Sequence, residues 1–147
     1  MKKKSIVTFT FLVMLYVLTS SGVHAQWRRT SVWAVDFVKP REGQRHNYLK
    51  YIEANWMKAR EEAKKQGIIV SYKVLVLPPS GEDDFVLLLM TEYADMKGYE
   101  AREENFKKVF AKIAPNGPTL INGLGSRQLA EITSSKIFTE PIFAYPK

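Results

Sequence analysis

Residues 33–56 read WAVDFVKPREGQRHNYLKYIEANW, and the change of hydrophobic period inside this stretch decides the fold. Over residues 31–38 Val, Trp and Phe alternate, the pattern of a strand. Lys39-Pro40 stops it, because proline cannot donate to a ladder. After the break the period becomes helical. Leu49, Ile52, Trp56, Ala59 and Ala63 recur at steps of three and four, one face of an α-helix. Gly67 is placed to end that helix in a left-handed cap.

Downstream, IIVSYKVLVLPPSGEDDFVLLLMTEY predicts two strands around a turn. Pro78, Pro79, Ser80 and Gly81 break the apolar runs, and Glu82, Asp83 and Asp84 keep the turn in water. A second helix is expected over residues 98–114, with Phe106, Val109, Phe110 and Ile113 inward and Asn116-Gly117-Pro118 as its stop. RQLAEITSSKIF then reads as the last strand, followed by the aromatic, proline-punctuated tail TEPIFAYPK. The order is β-α-β-β-α-β: an α+β, ferredoxin-like domain, one four-stranded antiparallel sheet with both helices on one face.

Two helices shield only one side of such a sheet. In the first strand Val32, Ala34 and Val38 oppose Trp33, Val35 and Phe37; in the third, Val86, Leu88 and Met90 oppose Phe85, Leu87 and Leu89. Both faces are apolar, so the bare one needs a cover. The simplest cover is a second copy packed sheet to sheet, which makes a homodimer the expected assembly.

The amino terminus has its own signature. Three lysines, an apolar run over residues 6–18 and Val23-His24-Ala25 form the layout of a secretory signal peptide. The expected division is a signal peptide over residues 1–25 and a single domain over residues 26–147, exported to the periplasm or secreted by a bacterium, with no membrane attachment after cleavage. Losing the three lysines lowers the formal net charge from +7 to +4, with 19 basic and 15 acidic residues remaining. Lysines and glutamates are interspersed, so no nucleic-acid stripe forms. The chain has no cysteine, which removes disulfides, thiolate catalysis and Cys-based metal sites. His46 is the one histidine of residues 26–147, so a paired-histidine metal site within one chain is excluded as well. No metal and no cofactor is expected.

VDFVKPREGQRHNYLKYIEANW resembles the strand, turn and Trp-bearing helix of the dimeric α/β-barrel superfamily, and GSRQLAEI resembles its last strand. The chain is most similar there to small exported bacterial proteins of unassigned activity and to the NIPSNAP and antibiotic-biosynthesis-monooxygenase-like groups. The resemblance implies a barrel of two sheets with a ligand-sized cavity. Its members include haem-degrading and cofactor-free oxygenases, isomerases, and proteins with no known reaction. Haem-degrading members place an Asn, a Trp and a His around one pocket. Here Asn55 and Trp56 adjoin on the first helix and the second helix has no His, so that pattern is not reproduced.

Several residues are candidates for chemistry. Asp36 interrupts an apolar row; in a pocket it would serve as a base, and otherwise it would pair with Lys73 or Arg127 across the sheet or sit at a wet barrel rim. His46 would act as a base or axial ligand, but lies at a helix start beside Arg45 and Asn47 where the surface is expected. Tyr48, Tyr51 and Asn55 form a stripe beside the core stripe, with Tyr72 and Trp33 placed to face it, a cluster suited to a flat aromatic or acyl ligand or else a tyrosine-rich seam. Arg127, at the expected start of the last strand, would clamp a carboxylate or reach the partner chain. The leading expectation is an exported homodimer binding a small apolar or aromatic molecule, with no assigned catalysis. The alternatives are a cofactor-free or haem-linked monooxygenase using Asp36, His46 and Tyr72, and a non-catalytic interaction module.

Overall fold

A computed structural model describes residues 30–77 and 85–139. The expected signal peptide, the acidic turn at 78–84 and the tail beyond Thr139 lie outside the described residues. The elements are β1 (Val32–Pro40), α1 (Arg45–Tyr51), a π-helical segment (Ile52–Met57), α2 (Lys58–Lys65), β2 (Ser71–Leu77), β3 (Val86–Tyr93), α3 (Met96–Glu100), α4 (Arg102–Ile113), α5 (Ser126–Leu129) and β4 (Ala130–Thr139). The strands form one sheet in the order β2-β3-β1-β4, every neighbouring pair antiparallel. This is the ferredoxin-like α+β fold that the element order predicts.

Register assigns the faces. Val32, Ala34, Asp36 and Val38 of β1 stand opposite Tyr93, Thr91, Leu89 and Leu87 of β3, and this row faces the helices. One core cluster joins Val38, Leu87 and Leu89 to Tyr48, Ile52 and Leu129; a second joins Val32 and Tyr93 to Ala59, Ala63, Phe106 and Val109. Leu87, Val109 and Leu129 lose all contact with solvent, and each contributes about 2 kcal/mol by burial. The opposite face carries Val35, which is 2% exposed, among the half-buried Trp33, Phe37, Leu88 and Met90, flanked by the exposed Leu75, Leu77 and Phe138, and no described helix belongs to the core on that side.

The helices differ from the sequence expectation in three places. First, the long helix is interrupted by the π-helical segment, whose wider turns take up an extra residue. Inward positions upstream therefore shift by one. Tyr48 is buried where Leu49 was expected, and Leu49 is 38% exposed; Asn55 turns fully inward beside a half-buried Trp56. Second, the expected 98–114 helix is two pieces, Met96–Glu100 and Arg102–Ile113. The first is capped by the Asp95 carboxylate, which accepts from the Gly98 amide at 2.7 Å. Phe106 and Val109 point inward as expected, while Phe110 is exposed. Third, Arg127 and Gln128 lie on the short helix α5, not on a strand. The Gln128 side chain accepts from the Gly125 amide at 2.8 Å and holds that turn helical.

The helix α2 ends as its glycine implies. Gly67 has φ +70°, its amide bonds to the Lys64 carbonyl at 3.0 Å, and the Ile68 amide reaches the Ala63 carbonyl at 2.9 Å. These paired bonds satisfy the last carbonyls and turn the chain toward β2.

Candidate functional site

Two clefts flank the helices. The first, of about 460 Å³, lies between α4 and the helix-facing row of β1, β3 and β4. Asp36, Arg60, Thr91, Tyr93, Tyr99 and Ser135 supply polar groups to it, and Arg102, Glu103 and Lys136 add three further charges to its lining. Asp36 and Thr91 are the two polar interruptions of the inward rows, and register sets them on adjacent rungs: Ala34 opposes Thr91 and Asp36 opposes Leu89. Asp36 also opposes Ser135, whose hydroxyl donates to the Asp36 carboxylate at 2.6 Å. The alternative pairings of Asp36 do not occur. Lys73 belongs to the open face, with its ammonium 5.2 Å from the Trp33 ring, and Arg127 is on α5.

Arg60 enters the same cleft from α2. Its guanidinium lies between two rings, 4.4 Å from the centre of Trp56 and 4.4 Å from that of Phe106. Trp56 precedes it by four residues, one turn below on the same side. Arg60 Nε points to the Thr91 hydroxyl at 3.4 Å. Burial pushes the Arg60 pKa down to about 10, against the opposing pull of Tyr93 and Asp36. No direct ion pair joins Arg60 to Asp36 among the described residues. A desolvated cation and a half-buried carboxylate thus line one cleft without neutralising each other by contact. Tyr93 is held above its ordinary pKa by burial and meets Tyr99 edge-on at 5.6 Å. Arg102 sits 4.1 Å from the Tyr99 ring and pairs with the exposed Glu103 at 3.5 Å.

The second cleft, of about 410 Å³, lies between the π-helical segment and the chain following α4. Asn55 builds it. Its amide nitrogen donates to the carbonyls of Thr119 at 2.9 Å and Tyr51 at 3.1 Å, and its oxygen accepts the Thr119 amide at 2.7 Å. That closed set of bonds ties loop to helix and leaves the buried side chain satisfied. Arg60 and Phe110 border both clefts.

The structure therefore separates residues that the sequence suggested together. Trp33 is on the open face and Tyr72 on the helix face, so the expected aromatic cluster does not form around one ligand. Tyr72 packs edge-on against Trp56 at 5.6 Å and donates to the Glu61 carboxylate, and that hydrogen bond, helped by burial, pushes its pKa up to about 12. Tyr48 stacks on Tyr51 at 6.4 Å, inside the core. His46 is exposed in the first turn of α1 and borders neither cleft. Arg60, Thr91, Tyr93 and Ser135 were not singled out from the sequence. The signal was present for two of them: Thr91 breaks an apolar row at an inward position, and Arg60 follows Trp56 by one helical turn.

No helix among the described residues is long and apolar enough to cross a membrane. No protein-family model matches the chain, and no curated protein matches it. Solved structures resemble it in overall shape. A conserved protein of unknown function from Bacteroides thetaiotaomicron, a candidate oxidoreductase, is 19% identical, covers 76% of this chain and 99% of its own, and superposes with a TM-score of 0.44. An uncharacterized NIPSNAP-like domain protein from Burkholderia xenovorans is 10% identical, covers 80% of this chain and 91% of its own, at a TM-score of 0.47. A candidate antibiotic biosynthesis monooxygenase from Chloroflexus aurantiacus is 12% identical, covers 80% of this chain and 98% of its own, at a TM-score of 0.43.

Proposed function

We propose that the protein binds a small, flat organic molecule bearing a weakly acidic hydroxyl, of the phenol or enol type, in the first cleft. The observation that carries this reading is the pairing of Asp36 and Arg60 across one cleft without contact between them. The carboxylate accepts a ligand O–H, and the desolvated guanidinium favours negative charge on the same oxygen. The rings of Tyr99, Phe106 and Phe110 supply flat apolar walls. A second reading, a cofactor-free monooxygenase, shares its first step with this binding mode. The ligand O–H bond breaks, the proton passes to Asp36, and the electron pair stays on the oxygen beside Arg60. Neither cleft offers a histidine, so the residues do not fit an imidazole-ligated haem, and no step is drawn through one.

The bare sheet face supports a homodimer, with Phe37, Leu88 and Met90 at its centre. The reading also places the domain outside the cytoplasm, on the strength of the sequence over residues 1–25 alone. Light scattering on the eluted protein tests the dimer: twice the chain mass is expected, and Leu88→Lys should return a folded monomer. Thermal shift tests the ligand class. Naphthol should raise the melting temperature and naphthalene should not, and Asp36→Asn and Arg60→Met should erase the difference. Equal stabilisation by both compounds would remove the hydroxyl from the proposal.

A further inference from the structure

The second cleft has a composition the first lacks. Its walls are apolar, from Ala54, Trp56, Ile113 and Pro118, and the charged groups that border it are Lys58 at the rim and Arg60 within. No carboxylate lines it among the described residues, whereas the first cleft contains Asp36 and Glu103. Asn55 offers nothing to a ligand, because its amide is committed to Thr119 and Tyr51. The polar side chains that remain are therefore two cations and three hydroxyls, those of Tyr51, Thr119 and Ser126.

We infer that this cleft is a second ligand site, adjoining the first and sharing Arg60 and Phe110 with it, that takes a small monoanionic amphiphile: an aryl or short acyl carboxylate. The apolar part lies against Trp56 and Pro118, and the carboxylate faces Lys58 and Arg60. The volume of about 410 Å³ suits such a molecule. The charge argument excludes cationic ligands, since nothing in the cleft would neutralise an ammonium, and it disfavours neutral ones, which leave Arg60 desolvated with no anion to offset it. The π-helical segment fixes the site. It rotates Asn55 into the clasp that holds residues 117–119 against the helix, and it leaves Ala54, a side chain too small to fill the gap, on the cleft side. This inference does not rest on the phenol-type ligand of the first cleft.

Naphthoate, titrated into the ¹⁵N-labelled protein and followed by amide chemical shifts, tests it against naphthalene carboxamide, its neutral isostere. Saturable shifts centred on Ala54, Gly117 and Thr119 are expected with the carboxylate, and binding at least about tenfold weaker with the amide. Lys58→Gln should weaken naphthoate about two- to fivefold, as an exposed charge at a rim does. Ala54→Phe should fill the cleft and abolish the shifts. If that variant does not fold, the isostere comparison and Lys58→Gln decide, since neither disturbs the core. Equal binding of carboxamide and carboxylate, or shifts centred on Asp36 and Ser135 instead, would overturn the inference.

Discussion

Ser135 donates to the Asp36 carboxylate at 2.6 Å, joining residues 99 positions apart in the chain on neighbouring strands. The bond exists because β4 runs antiparallel beside β1 with a register shift at Phe37/Val38, which sets Ser135 directly opposite Asp36. The carboxylate is thereby held toward the cleft. Ser135→Ala should cost under about 1 kcal/mol of stability, because the pair is at an accessible edge strand. It should weaken naphthol binding a few-fold, while Asp36→Asn weakens it more, at least about tenfold. Ligand-induced melting shifts on the two variants check this ordering, and a larger loss from Ser135→Ala would place the acceptor elsewhere.

Arg60 is a charge kept where hydrophobic packing would be cheaper. Its half-buried guanidinium lies against the rings of Trp56 and Phe106, and the Thr91 hydroxyl is its one side-chain hydrogen-bond partner among the described residues. Replacing a poorly paired buried cation by an apolar side chain of similar length is neutral or stabilising. Arg60→Met should therefore leave stability unchanged or raise it by about 1 kcal/mol, and at the same time abolish binding of the hydroxyl ligand. Chemical denaturation beside a binding titration measures both. A large loss of stability would make Arg60 a structural residue.

Asn55 carries the loop after α4. Removing its amide orphans the Thr119 amide and the Thr119 carbonyl beside a buried position, while the Tyr51 carbonyl keeps its helical bond. Asn55→Ala should cost about 2 kcal/mol. Amide hydrogen exchange should accelerate at residues 117–120 before it changes in the sheet, because the loop is held by that side chain. Uniform acceleration across the domain would show the clasp to be part of the global core.

The tyrosines set the alkaline limit of the fold. Burial raises the Tyr48 pKa to about 12, and the Glu61 hydrogen bond raises that of Tyr72 to about 12. A folded-state pKa above the unfolded value of 10 means the native state holds its proton while the unfolded chain has lost it. The stabilisation is complete below pH 10 and is lost as pH rises from about 10 toward 12. The buried Tyr48 alone accounts for about 2 kcal/mol by pH 12. Melting temperature measured from pH 9 to 12 should fall steeply, and less steeply in Tyr48→Phe; the same slope in both proteins would assign the loss to other groups.

Much of the fold was legible in the chain because it depends on local chemistry. Alternation over residues 31–38, the helical stripe ending at Gly67 and the apolar third strand each report their own backbone state, and their order leaves the ferredoxin-like topology as the simplest packing; Lys39 and Pro40, expected to stop the first strand, instead remain in it and pair with Glu131 and Ala130 of β4. Asp36 was legible as a candidate for the same reason, since it interrupts a row whose period is two, and the structure places it in the lining of a cleft. Leu49, Arg127 and Phe110 were misplaced because their environments depend on phase and cap choices that periodicity does not encode. One extra residue in a π turn moved Tyr48 inward and Leu49 out, and one side-chain bond from Gln128 to Gly125 made a helical turn where a strand was expected.

By itself the sequence determined the four strands, the two main helical regions and their order, and so that the described helices pack on one face of the sheet alone. Only the tertiary structure decided which polar groups share a cleft. Asp36, Arg60, Thr91 and Ser135 come from four separate elements, and strand register and helix phase, set by packing across the whole core, are what bring them to one cleft.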